Sequence, residues 1–239
     1  MQVKSILIFT TLFLGLFVSA HGQAIALLDF ETAGGYITSI PEYTDTGNDY
    51  FTRSDSSTNA IASYEETASG SYWFAAQDID SEGAALPVDF SWSVNISGFT
   101  GLSFDFDVAE DDDSTRQDWD AADYVRTYYS IDGGTEQNLI WFQNDGTASN
   151  TAPLLDSDFD GLGDGAEVTD TFTNFSNTIV GVGEALTIRV EFSLNSGDED
   201  FAMDNLRVTG TAVPEPSNFA LLAGCLALAS VIVRRRSSM

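Results

Sequence analysis

Between Leu102 and Val108 the chain alternates with a period of two: Leu102, Phe104, Phe106 and Val108 stand on one side, and Ser103, Asp105 and Asp107 on the other. Successive side chains of an extended strand point to opposite faces, so this pattern fits a strand with one face in a core and the other in water. The runs AIALLDFE, YWFAAQDID, PVDFSWSVNI, YVRTYYSIDGG, QNLIWFQ, ALTIRVEFSL and FAMDNLRVTG have the same character, rich in β-branched and aromatic residues. Such residues suit a pleated, half-buried surface. Turn formers lie around them, at Gly34-Gly35, Asp132-Gly133-Gly134, Asp145-Gly146 and Ser196-Gly197-Asp198. Away from the two ends no stretch carries sustained helical periodicity with caps, and no internal repeat signals a solenoid or propeller. About eight to ten strands in one chain imply two packed antiparallel sheets: an all-β, antiparallel β-sandwich of jelly-roll-like type.

Both ends depart from this pattern. Lys4 precedes an apolar run from Ile6 to Ala20, and small residues follow at Ala20, Gly22 and Ala24. A positive start, an apolar stretch and a small-residue cleavage site predict a secretory signal peptide over 1–24, cut after Gly22 or Ala24. Residues 213–239 hold three parts in order: Val213, Pro214, Glu215 and Pro216; an uncharged apolar run from Phe219 to Val233; and Arg234, Arg235 and Arg236. The prolines keep the chain extended, the apolar run is predicted to form a transmembrane helix, and the arginines stay on the cytoplasmic side. This arrangement resembles the PEP-CTERM sorting signal of Gram-negative bacteria. The resemblance implies an exosortase-type processing protease as partner, a transient stay in the inner membrane, then release to the cell surface or extracellular matrix. The alternative is an ordinary C-terminal anchor, although the run falls short of the roughly 20 residues a stable spanning helix needs. Residues 25–212 remain to fold, enough for one domain with a core.

That domain lacks much of the usual catalytic repertoire. His21 lies in the predicted signal peptide and Cys225 in the predicted anchor, leaving neither residue type between them. This excludes Cys or His nucleophiles, Ser-His-Asp triads, zinc sites of imidazole or thiolate, and disulfides. Of 37 acidic residues only Glu215 lies outside the domain, whose basic residues are Arg53, Arg116, Arg126, Arg189 and Arg207, with no lysine. So negative a surface repels nucleic acid and anionic lipid, making both poor partners. It fits a solvated acidic coat for saline surroundings, carboxylates gathered for divalent cations, or both.

The segment DSDFDGLGDGAE, Asp156 to Glu167, points to cations. Numbered as a twelve-residue calcium loop, it places carboxylates at the first, third and fifth positions (Asp156, Asp158, Asp160) and glycine at the sixth (Gly161). The carbonyl of Leu162 follows, then Asp164 at the ninth position and Glu167 at the last. Hard oxygens suit Ca2+, the glycine permits a sharp turn, and the final glutamate can bind through both oxygens. Gly163 replaces the apolar residue that pairs two EF-hands, and the flanks do not read as helices. The loop therefore resembles the isolated calcium loops of thrombospondin type 3 repeats. A merely acidic surface turn is the alternative.

The first and last strands, ending LLDFE and AMDNLRV, resemble those of carbohydrate-binding jelly rolls, whose ends share a structural calcium. The resemblance implies Glu31 and Asp204 as further Ca2+ ligands; a solvent-facing Glu31 and an Asp204 at a turn are as compatible with the residues. From Glu110 to Asp123 seven carboxylates surround Trp119, which reads as a solvated connection folded down by the tryptophan, or as a second cation loop. Trp73, Trp92, Trp119 and Trp141, with the eight tyrosines, either form a sugar-stacking platform or fill the core. A glycosidase needs only two carboxylates. Glu191 is the nearest candidate acid, and its alternation equally makes it a surface residue. The expected function is an exported, non-catalytic protein of the cell surface or extracellular matrix, structural or adhesive and Ca2+-binding. Carbohydrate binding, with exopolysaccharide as partner, is the alternative and glycoside hydrolysis a more distant one.

Overall fold

The computed structural model describes residues 22–45, 49–55, 70–81, 83–110, 119–147 and 151–214, with Gly224, Leu228 and Ser230. Its strands in chain order are β1 (Gln23–Leu28), β2 (Ile37–Thr38), β3 (Tyr43–Thr44), β4 (Tyr50–Ser54), β5 (Trp73–Gln77), β6 (Val88–Asn95), β7 (Phe99–Ala109), β8 (Tyr124–Ile131), β9 (Gln137–Gln143), β10 (Leu154–Asp156), β11 (Thr173–Ile179), β12 (Ala185–Ser193) and β13 (Asp200–Ala212). One sheet runs β11-β7-β13-β5-β4-β3, with β1 also against β13; the other runs β10-β9-β8-β12-β6-β2. The pairings are antiparallel throughout, and the two sheets make a jelly-roll-like β-sandwich.

The alternation in the sequence becomes the core. Leu102, Phe104, Phe106 and Val108 are at most 1% exposed. They share the interior with Phe90 and Trp92 of β6 and with Ile188, Val190 and Phe192 of β12. Phe90 joins a ring cluster, with centroids 4.8 Å from Tyr36, 5.2 Å from Phe74 and 6.0 Å from Phe30. Burial of large rings dominates core energetics, and this cluster ties β5 and β6 across the two layers.

The first strand starts at Gln23, ahead of the predicted domain boundary at residue 25, because Gln23 and Ala24 pair with Gly210 and Thr209. Cleavage after Gly22 would leave β1 whole, whereas cleavage after Ala24 would remove its first pairings. Among the described residues no helix is long and apolar enough to cross a membrane. Most of the predicted signal peptide, Glu215, Pro216, most of the apolar run and Arg234, Arg235 and Arg236 lie outside the described residues. Val213 and Pro214 follow β13, exposed.

Candidate cation loop and the faces beside it

Strand β10 delivers Asp156 into the loop, and Glu167 returns opposite Leu154 in an isolated bridge. The Leu155 carbonyl accepts the Asp164 and Gly165 N–H groups at 3.0 and 2.7 Å, and the Leu155 N–H donates to the Ala166 carbonyl at 2.9 Å. The excursion is thus clamped at its base by backbone bonds. Inside it the aspartates organise the turn. Asp156 Oδ1 accepts the Phe159 N–H at 2.7 Å and Oδ2 that of Gly161 at 2.9 Å, while Asp158 and Asp160 accept the N–H groups of Asp160 and Leu162. Gly161, at φ +96°, takes the left-handed conformation expected at the sixth position. Carboxylate oxygens of Asp156, Asp158 and Asp160 come within 4.8 Å of one another, Asp156 buried and the other two exposed.

Not every predicted ligand joins them. Asp164 Oδ1 accepts the Ser157 N–H at 2.9 Å, which holds its carboxyl below the usual range. Neither Asp164 nor Glu167 belongs to the group of three. Gly163 has a packing reason instead of an EF-hand one: a Cβ there would lie 2.5 Å from the Gln143 carbonyl oxygen and 2.7 Å from Leu154 Cβ. Its N–H donates to the Asn144 carbonyl at 2.8 Å, seating the loop on the β9 edge.

Glu31 and Asp204 stand elsewhere. Glu31 Oε1 accepts the N–H groups of Ser71 and Tyr72 at 2.7 and 2.8 Å, folding over Gly70. Asp204 is fully buried opposite Asp107 in the β7–β13 register, and its Oδ1 accepts the Asn205 N–H at 2.7 Å. Trp119 is fully buried, packs against Phe201, and its carbonyl accepts Asn144 Nδ2–H at 2.7 Å. Residues 111–118 of the acidic connection ahead of it lie outside the described residues. The remaining tryptophans are also inside: Trp73, Trp92 and Trp141 are 3, 5 and 9% exposed. They form no exposed row.

Beside the loop, the outer face of the second sheet carries planar groups; the sequence pointed to Trp141 and to the tyrosines as a class, but not to Arg126 between them. Tyr124, Arg126 and Tyr128 of β8 point the same way and are half-buried. The Arg126 guanidinium lies 3.9 Å from the Tyr124 ring centre and 4.6 Å from that of Trp141. Its Nε and Nη2 donate to Gln143 Oε1 at 3.1 and 2.6 Å, and Gln143 Nε2 donates onward to the Gly161 carbonyl at 3.0 Å. Phe159 meets Trp141 edge-on at 5.3 Å from a left-handed backbone, φ +64°. Loop and face are therefore joined by one hydrogen-bonded and one aromatic contact. A crevice of about 200 Å³ opens alongside, between Ile140, Asp156, Phe159, Phe175 and Asn177. Glu191 is engaged on this face by Arg189 Nη1 at 2.6 Å.

No protein-family profile and no curated protein matches the chain. Solved structures share its architecture distantly. A Stig cyclase, Fisc, from Fischerella sp. TAU superposes at TM-score 0.49 and 14% identity over 81% of this chain and 100% of its own. The CBM22-1 xylan-binding domain of Paenibacillus barcinonensis Xyn10C gives 0.41 and 13% over 81% and 97%. The K3 cleaved adhesin domain of Lys-gingipain from Porphyromonas gingivalis W83 gives 0.40 and 15% over 79% and 100%. An enzyme, a sugar binder and an adhesin at this distance carry no argument about function.

Proposed function

We propose that the chain is an exported, non-catalytic β-sandwich protein that binds Ca2+ at the Asp156–Glu167 loop. It works at the cell surface or in the extracellular matrix of a Gram-negative bacterium, after sorting by an exosortase-type protease. The observation that carries the cation half is the convergence of Asp156, Asp158 and Asp160 within 4.8 Å at the clamped end of β10. Three negative groups so close repel one another unless a cation joins them. Isolated extracellular loops bind Ca2+ with dissociation constants of about 10⁻⁴ to 10⁻³ M, and this one should fall in that range. Isothermal titration of the protein with Ca2+ tests the assignment against Asp158→Ala combined with Asp160→Ala. Binding unchanged in that double variant removes the loop from the account.

A second reading, carbohydrate binding, is favoured by one observation: Tyr124, Arg126 and Tyr128 line an outer sheet face continuous with the loop. Half-exposed rings with hydrogen-bonding groups between them suit sugar rings and their hydroxyls. Binding to the producing organism's exopolysaccharide, with Ca2+ and again with chelator, decides between the readings. Calcium-dependent binding supports a glycan receptor, and no binding in either condition supports a structural coat protein.

A further inference from the structure

At one end of the sandwich two carboxyl groups lie where water does not reach: Asp123, just ahead of β8, is 1% exposed, and Glu199, just ahead of β13, is 3% exposed. They come from different segments. Asp123 belongs to the turn entering β8 in one sheet, and Glu199 to the connection by which the chain leaves β12 and crosses to β13 in the other. Asn195 binds both, its backbone N–H donating to Glu199 Oε2 at 2.6 Å and its Nδ2–H to Asp123 Oδ1 at 3.1 Å. One asparagine thus holds both carboxyl groups side by side, and the charge of each bears on the other. An ionised carboxylate only accepts, so two carboxyl groups can bond only when one of them carries a proton.

Among the described residues no cation compensates the pair, and the other groups around it are backbone donors and further carboxylates. From the β8 side comes Asp120, whose N–H donates to Asp123 Oδ2 at 2.5 Å while its own carboxylate accepts the Ala122 N–H. Ser193 Oγ donates to the Ala122 carbonyl, fixing the same turn. From the β5 side, the Gln77 side chain donates to the Gly197 carbonyl and the Ile79 N–H to the Leu194 carbonyl. On that side the Asp78 carboxyl is itself pushed up to about 6, by burial and by the neighbouring charges of Asp49 and Asp80. The described arginines are engaged elsewhere: Arg53 with the Phe30 and Glu31 carbonyls, Arg126 with Gln143, Arg189 with Asp89, Glu136 and Glu191, and Arg207 with Asp105.

We propose that Asp123 and Glu199 share one proton and form a pH-set latch, which holds the 194–199 connection against the turn before β8 while protonated and releases it in alkaline medium. Burial is the main cause that pushes both groups up, Glu199 to about 8 with Asp123's charge adding to it, and Asp123 to about 6. In the unfolded chain both titrate near 4. A raised value in the folded state means that the stabilisation is complete below the unfolded value and disappears as pH climbs through the folded one. The latch therefore weakens from about pH 4 upward and is lost near pH 8, when the second negative charge appears between the sheets.

Amide hydrogen exchange on the full chain, at about pH 6 and about pH 9 and corrected for intrinsic rates, reads the latch at segment 194–199. Expected is at least ~10-fold loss of protection at the higher pH, and none in Glu199→Gln, whose amide can donate to Asp123 at any pH. Equal protection at both pH values in the native protein overturns the proposal. Persistence of the pH effect in Glu199→Gln does the same. Abolition of the effect by millimolar Ca2+ also overturns it, making the pair a cation site. Infrared absorption gives a readout independent of any variant. A protonated carboxyl band persisting at about pH 7 and fading by about pH 9 supports the shared proton, and its absence at pH 7 refutes it.

Discussion

Arg189 is the cation whose loss should be felt most. It stands mid-strand on β12, and its guanidinium bonds to Glu136 through both Nε and Nη2 at 2.8 Å, to Asp89 at 2.6 Å and to Glu191 at 2.6 Å. It also lies 4.5 Å over the Tyr128 ring. One side chain thus joins β6, β12, the β8–β9 connection and the face of β8. Asp89 and Glu136 are 38 and 43% exposed, so each contact contributes at most about 0.5–1 kcal/mol after solvent screening. Glu191 is only 15% exposed, and leaving it unpaired costs about 1–3 kcal/mol. Arg189→Met keeps the apolar stem and removes the fork, for an expected loss of about 2–4 kcal/mol at neutral pH by urea unfolding. The bond to Arg189 holds the Glu136 carboxyl below its ordinary value. A lowered folded value means stabilisation present above the unfolded pKa and lost as pH falls through the folded one, so the difference between the two proteins should shrink in acid. Arg189→Lys keeps the charge without the fork and should recover less than half. A loss below about 0.5 kcal/mol at neutral pH, or one undiminished in acid, refutes this reasoning.

Phe90→Ala opens the ring cluster formed with Phe30, Tyr36 and Phe74 and should cost about 3–5 kcal/mol by chemical denaturation, with the fold retained by circular dichroism. Gly163→Ala places a methyl 2.5 Å from the Gln143 carbonyl oxygen. The expected cost is about 1–3 kcal/mol together with weaker Ca2+ binding, because the loop must lift from β9; unaltered titration would show that the seat does not shape the ligands. Replacing Pro214, Glu215 and Pro216 by alanine should leave the precursor in the membrane fraction, and its normal release would remove the sorting assignment.

What the sequence made legible follows from how locally each signal is written. The alternation over Leu102–Val108 needs only neighbours in the chain, and those residues form the interior of β7. Strand β11, TNFSNTI, escaped because only Phe175 and Ile179 turn inward at the sheet edge, too few to show a period. Strands β2 and β3 are two residues each, below any pattern. The calcium-loop spacing placed three aspartates together, yet could not show that Asp164 would turn to Ser157 and that Gly163 answers to packing. Asp105 reads as solvent-facing and is 6% exposed, because Arg207 from β13 and Asn174 from β11 close over it. Glu199, in the run SGDED, resembles any acidic turn; nothing nearby in the chain announces Asp123, which tertiary folding brings to it.

The scarcity of positive charge gives these placements a common logic. Four of the chain's nine basic residues are described arginines, and each bridges segments distant in sequence: Arg53 to the end of β1, Arg126 to β9, Arg189 across β6 and the β8–β9 connection, Arg207 to β7. Cations engaged in this way fasten neighbouring strands on the outer faces and leave the loop carboxylates uncompensated. Mutual repulsion among those groups destabilises the compact state and can be relieved only by ions from the medium or by protons. In the loop Asp158 and Asp160 are exposed, with Asp156 buried beside them, and this arrangement suits the first remedy. The buried pair Asp123 and Glu199, closed to hydrated ions, suits the second. Stability should accordingly respond to divalent cations at one place and to pH at another, and the two responses should add independently.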